Sequence, residues 1–150
     1  MNKKQKLWLI VLAGYIGFIY GHSFMNAELS SAESSFVLQA ALDCLDTVGV
    51  SRQWFTEHTI RKSAHFAEYA GMGFLLYQNL KLWQQDRFTR FTTGALAVVV
   101  IPFIDETIQL FSEGRAAMIE DVWLDMSGAV SGLIAAGILA AAWRRIRRRN

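Results

Sequence analysis

The chain has almost no means of covalent or metal-based stapling. It has one cysteine, Cys44, and one proline, Pro102, in 150 residues. A single cysteine excludes an intramolecular disulfide. No partner for a catalytic thiol stands at a telling spacing, so Cys44 reads as a small apolar residue of a helix. The sequence also lacks a P-loop, a nucleophile motif and a strict metal-ligand signature. Charge is sparse, with 19% of residues Asp, Glu, Lys or Arg, and long stretches carry none.

What is present is apolar side chain, at 53% of the chain. A soluble domain of this length lacks the interior volume to bury so much. The composition therefore favours a single membrane domain over residues 1–150 and not a soluble helical bundle. Four segments are long and apolar enough to cross: Leu7 to Phe24, Ser63 to Leu80, Phe91 to Phe111 and Val122 to Trp143. A crossing takes about 20 residues. In lipid the backbone must satisfy its own hydrogen bonds, so each is expected to be a helix. The expected fold is an all-α membrane protein with four transmembrane helices.

Basic residues set the orientation. Lys3, Lys4 and Lys6 precede the first span, Lys81, Arg87 and Arg90 lie between the second and third, and Arg144, Arg145, Arg147, Arg148 and Arg149 follow the fourth. These are most of the 15 Lys and Arg, and one topology places them all inside: a multi-pass protein of the cytoplasmic membrane with both termini cytoplasmic. Every acidic residue except Asp86 then falls outside or in the outer half of a span. The arginine tail reads as a topology anchor, and no nucleic-acid partner is expected. Lys3 to Lys6 followed by Leu7 to Tyr20 also has the shape of a secretory signal. Met25 stands where a cleavage site after Ala27 wants a small residue, which favours an uncleaved anchor.

The segment from Met25 to Lys62 is then extracytoplasmic. Ser30 and Glu33 have capping-box spacing, and Phe36, Val37, Ala40, Ala41, Leu45 and Val48 recur at helical period before Gly49. This predicts an amphipathic helix lying on the membrane or the bundle. Trp54 and Phe55 suit an interfacial position.

The polar residues that enter the spans agree in depth. Lys62, His65, Glu68 and Tyr69 share one face of the second helix in its outer half. Asp105, Glu106 and Gln109 form one patch in the outer half of the third, and Asp121 and Asp125 lie one turn apart at the start of the fourth. A charge within a span costs about 2.5–3.5 kcal/mol on the mildest scale, so such agreement points to a polar pocket. Asp121 alone reads as a residue that snorkels to water, and His65 alone as a hydrogen-bonded packing residue. Small residues place the pocket inside the bundle. Gly128 and Gly132 continue the Asp121–Asp125 face, and Gly14, Gly17 and Gly21 form a small face on the first helix, both expected to pack closely.

Five carboxylates, Glu68, Asp105, Glu106, Asp121 and Asp125, face the cations Arg61, Lys62 and Arg115, with His65 conditional. The carboxylates are balanced by protonation, by these basic residues or by a hard divalent cation, for which Asp105, Glu106, Asp121 and Asp125 are the candidate ligands. Carboxylates with one histidine suit magnesium or manganese better than zinc.

These residues also fall into two motifs. One is Lys62-x-x-His65-Phe66-x-x-Tyr69; the other is Asp105-Glu106-x-x-Gln109-x-Phe111, followed by Gly114-Arg115, Asp121, Gly128 and Gly132. Over about residues 7 to 143 the sequence resembles the VanZ-like family of small bacterial membrane proteins, named for an association with resistance to the glycopeptide teicoplanin. Glu113 stands where that family often has proline, and Asp125 where asparagine is frequent. The resemblance implies a cell-envelope protein. Two functional classes follow. In the favoured one, a non-catalytic protein binds membrane lipid or a cell-wall-precursor head group at the outer leaflet, with Lys62 and Arg115 on its phosphate or carboxylate. In the other, a membrane enzyme acts on a lipid-linked phosphate, with a divalent cation on the carboxylates and His65 moving a proton.

Overall fold

The computed structural model describes residues 1–24, 35–39, 56–83, 86–112 and 118–148. Among them it is all-helical, with four long helices: α1 (Lys3–Ser23), α2 (Glu57–Leu82), α3 (Arg87–Gln109) and α4 (Ile119–Arg147). Two of these, α3 and α4, are long and apolar enough to cross a membrane. Residues 35–39 form a short helical stretch from which Phe36 and Val37 project into the surroundings, and the Ser35 hydroxyl donates to Glu57 at the start of α2. The Ser30–Glu33 pair, Cys44, Trp54, Phe55 and the rest of the predicted amphipathic helix lie outside the described residues.

Each helix starts where the sequence supplies a cap. The Asn2 side chain accepts the Gln5 N–H at 2.8 Å while Gln5 Oε1 accepts the Asn2 N–H at 2.7 Å, a reciprocal capping box. Thr56 accepts the Thr59 N–H at 3.2 Å at the start of α2. Asp86 accepts both the hydroxyl and the N–H of Thr89, and these hydrogen bonds hold its carboxyl below the usual range. Met118, which opens α4, has no side chain able to cap. Its N–H is taken instead by the Glu106 carboxylate from α3. Pro102 sits inside α3; it removes one helical N–H, a loss that packed membrane helices tolerate.

Contacts give the helix directions. Gln5 meets Leu82, Trp8 meets Asn79 and Tyr15 meets Glu68, so α1 and α2 are antiparallel. Tyr20 meets Ile101 and Ser23 meets Ser112, so α1 and α3 run together. Between α2 and α4, Gly128 lies on Phe66 and Gly132 on Ala70, so these two are parallel. The helices thus alternate in direction, and the basic residues of both termini and of the α2–α3 connection gather at one end.

The α2–α4 seam is the closest in the bundle. A Cβ at Gly73 would run into the carbonyl oxygen of Ala129, one at Gly128 into that of Phe66, and one at Gly132 into that of Ala70. The expected small face on α4 therefore packs as predicted. The face on α1 does not: a Cβ at Gly14, Gly17 or Gly21 would meet nothing within 4 Å. α1 turns its bulky side to the bundle, through Leu12, Ile19 and Ser23. Gly71 on α2 makes room for the Tyr15 ring, whose hydroxyl donates to the Glu68 carbonyl at 3.1 Å.

Polarity is arranged inside out. The apolar core is narrow: Leu12, Ile19, Tyr69, Met72, Leu76, Val98 and Ala129. Asn79, Asp105, Glu106, Gln109 and Asp125 are buried, whereas Ile10, Phe18, Leu96, Phe103, Ile134 and Ile138 face outwards. In water this arrangement would expose much of the apolar surface that drives folding. In a bilayer, lipid tails cover it.

Candidate functional site

The parallel seam fixes which side chains oppose each other. With Gly128 seated on Phe66, the residues one and two turns before them come face to face. Lys62 Nζ lies 3.0 Å from Asp121 Oδ1, with both side chains about a third exposed. One turn deeper, His65 Nδ1 lies 3.8 Å from Asp125 Oδ1, and Asp125 is completely buried, with 0% exposure. From α3, Asp105 enters at the same level, also at 0% exposure. His65, Asp105 and Asp125 each present a ligand atom within 4.8 Å of the other two.

Three further residues line this cluster. Tyr69 stands on α2 one turn below His65; it is fully buried and electrostatically coupled to both Asp105 and Asp125. Ser23 of α1 and Gln109 of α3 close on Asp105 from the sides. Among the described residues, both oxygens of Asp105, both of Asp125, the Tyr69 hydroxyl oxygen and the Ser23 hydroxyl oxygen complete no hydrogen bond of regular geometry. A buried polar group without a partner costs several kcal/mol and a buried charge more, so such a concentration is a poor structural element.

The remaining predicted residues divide. Glu68 pairs with His22 Nδ1 at 3.0 Å. Asp121 pairs with Lys62 at the rim. Glu106 is buried, but one of its oxygens is on the Met118 N–H at the start of α4, where a negative charge also suits the helix dipole. Gln109 is buried beside Asp105. Arg115, with Glu113 and Gly114, lies outside the described residues. The cluster able to hold a metal thus contains Asp105 and Asp125 with His65, while Glu106 and Asp121 are engaged at its edges.

Two contributors were not singled out from the sequence. His22 packs its ring along that of His65, with centroids 6.3 Å apart and planes 21° apart. Ser23 reaches Asp105 as described. Both come from the outer end of α1, where His22 interrupts an apolar run and was the one visible signal.

Chemically the site is a layered acidic well. An ion pair, Lys62–Asp121, stands at the rim, a histidine pair lies beside it, and two buried carboxylates with a phenol form the floor. It can attract a cation or an amine to its floor and an anion to its rim. No curated protein and no solved structure matches the chain. The family model described as VanZ/LLP1 matches residues 7–140, which include α2, α3, every described residue of the cluster and most of α1 and α4. The chain belongs to the VanZ/LLP1 family.

Proposed function

We propose that this is a four-span protein of the cytoplasmic membrane, with both termini inside. In this reading it binds a lipid or cell-wall-precursor head group in the acidic well at the outer leaflet. Such binding would tie it to glycopeptide resistance of the teicoplanin type, by limiting access of the drug to the membrane-proximal precursor. Support for the spans comes from the apolar residues that α1, α3 and α4 turn outwards and from the alternating directions of the four helices. Support for the orientation comes from the basic residues gathered at the end opposite the well, as the positive-inside rule requires.

The observation that carries the binding reading is the pair of fully buried carboxylates, Asp105 and Asp125, whose oxygens complete no regular hydrogen bond among the described residues, beneath the Lys62–Asp121 ion pair. A protein keeps such a floor when something bound there supplies the missing positive charge. The rim supplies Lys62 for an anionic group to meet. Membership of the VanZ/LLP1 family supports the link to the envelope.

The test is mass spectrometry of lipids retained by the intact protein purified in mild detergent. Wild-type protein is expected to hold one head-group class enriched over the host membrane. Asp105→Asn is expected to lower that enrichment at least about tenfold, since 1.4 kcal/mol of binding is already tenfold. Cells carrying Asp105→Asn or Arg115→Ala at normal membrane levels are expected to lose teicoplanin protection. A well-folded wild-type protein with lipids in host proportions would overturn the reading.

A further inference from the structure

We propose that His65, Asp105 and Asp125 bind one hard divalent cation of the magnesium or manganese class, which holds the phosphate of the head group. The second half of this statement rests on the head-group reading above; the metal site itself does not.

The first argument is charge. Asp105 and Asp125 are fully buried and bring two negative charges to one point. A divalent ion cancels both and leaves His65 neutral, the form in which imidazole donates a lone pair to a metal. An ammonium group cancels one.

The second argument is the donor set and its spacing. Two carboxylates with one imidazole make a mixed oxygen and nitrogen set that suits these ions. Neighbouring ligands on such an ion stand about 3 Å apart at a metal–oxygen distance of about 2.1 Å. The three donor atoms lie within 4.8 Å of one another, and His65 Nδ1 is 3.8 Å from Asp125 Oδ1, so small side-chain rotations bring them onto one ion.

The Tyr69 hydroxyl is fully buried next to Asp105 and completes no hydrogen bond of regular geometry among the described residues. It is placed to donate to a ligating carboxylate or to a water on the ion. Ser23 and Gln109 are placed to orient Asp105 in the same way. Outer partners of this kind fix ligand geometry and are worth tenfold to 100-fold in metal affinity, to an order of magnitude. Three protein ligands leave coordination positions open, and Lys62 stands one turn above them at the rim. A phosphate oxygen on the ion, with another on Lys62, joins floor and rim into one site.

The full chain, purified in mild detergent and stripped with a chelator, is titrated with Mn2+ while electron paramagnetic resonance follows the free aqueous ion. Wild type is expected to remove one Mn2+ per chain, with Mg2+ in excess releasing it. The bound ion is expected to show coupling to an imidazole nitrogen. Asp125→Asn is expected to weaken binding more than about 100-fold, beyond the loss of an outer partner, while Glu120→Gln at the exposed start of α4 leaves it unchanged. Absence of stoichiometric uptake by folded wild type overturns the site, and so does bound Mn2+ without nitrogen coupling. These two readouts need no variant, so they decide the matter even where Asp125→Asn fails to fold. Mn2+ bound by protein that retains no head-group lipid overturns the head-group reading and leaves the metal site standing. Lipid retained without any metal does the reverse.

Discussion

The two ends of α2 bury polar side chains in opposite ways. At the inner end, Asn79 donates both amide hydrogens to backbone carbonyls, to Trp8 at 3.1 Å and Leu75 at 3.0 Å, and Gln5 covers the Leu82 carbonyl at 2.9 Å. These groups are neutral, and the protein itself answers most of their hydrogen-bonding capacity. At the outer end, Asp105 and Asp125 are more deeply buried and carry acidic groups, and none of their four oxygens completes a hydrogen bond of regular geometry among the described residues. Burial of polar atoms does not by itself mark a site, because Asn79 does the same and works as a clamp between α1 and α2. What separates the ends is the kind of valence left open. The inner end leaves a neutral amide oxygen, at Asn79, and an indole N–H, at Trp83; the outer end leaves the oxygens of two adjacent acids.

The α2–α4 seam joins both ends, and breaking it gives the largest effect. Gly132→Val places a branched side chain against the Ala70 carbonyl, which is backbone and has nowhere to move. The expected cost is about 3 kcal/mol, at the upper end for overpacking. Thermal unfolding in detergent, followed by circular dichroism, is expected to show both ends lost in one transition. A variant as stable as wild type would mean that the parallel seam does not hold the bundle.

The next pair of substitutions sharpens the comparison by sign. Asn79→Leu removes the inner clamp and takes from the Trp8 carbonyl the donor it receives from α2. It is expected to destabilise by about 1 kcal/mol, a usual value for one interhelical hydrogen bond in lipid. Asp125→Asn removes a charge that the unliganded protein does not compensate. It is expected to stabilise chelator-treated protein by about 1–2 kcal/mol, as uncompensated functional groups do when they are neutralised. Unfolding midpoints that move the same way in both variants would abolish the distinction between the two ends.

Much of this was legible in the sequence because membranes make polarity conspicuous. His65, Tyr69, Asp105 and Asp125 stood out against apolar runs, and helical spacing anticipated that they come together inside the bundle. The fold was less legible where the information lies in backbone. Gly128 and Gly132 announced a close approach, but the surfaces that receive them are the carbonyls of Phe66 and Ala70, and every residue has a carbonyl. The parallel α2–α4 pairing was therefore unreadable. The glycines of α1 gave the same signal, yet a Cβ there would meet nothing within 4 Å among the described residues. Glu106 was grouped with Asp105 because they are adjacent, yet neighbours on a helix point about 100° apart. One faces the cluster and the other reaches α4. The clue to that second role was elsewhere, in Met118, a helix start with no cap of its own.

The smallest effect belongs to the rim, and it tests whether the outer end is layered. Lys62 and Asp121 are 3.0 Å apart, but with side chains 32% and 30% exposed they share their field with water and lipid head groups. Exposed pairs of this kind couple by about 0.2–1 kcal/mol. A double-mutant cycle of Lys62→Met and Asp121→Asn, read from unfolding midpoints, is expected to give a value in that range. Raising the salt from 0.01 M to 1 M shortens the screening length from about 30 Å to about 3 Å and is expected to shrink the coupling. A salt-insensitive coupling of several kcal/mol would place the pair in the dry interior with Asp105 and Asp125. There would then be no rim distinct from the floor, and an anionic group arriving from the membrane surface would have no cation to meet before it reached the buried carboxylates.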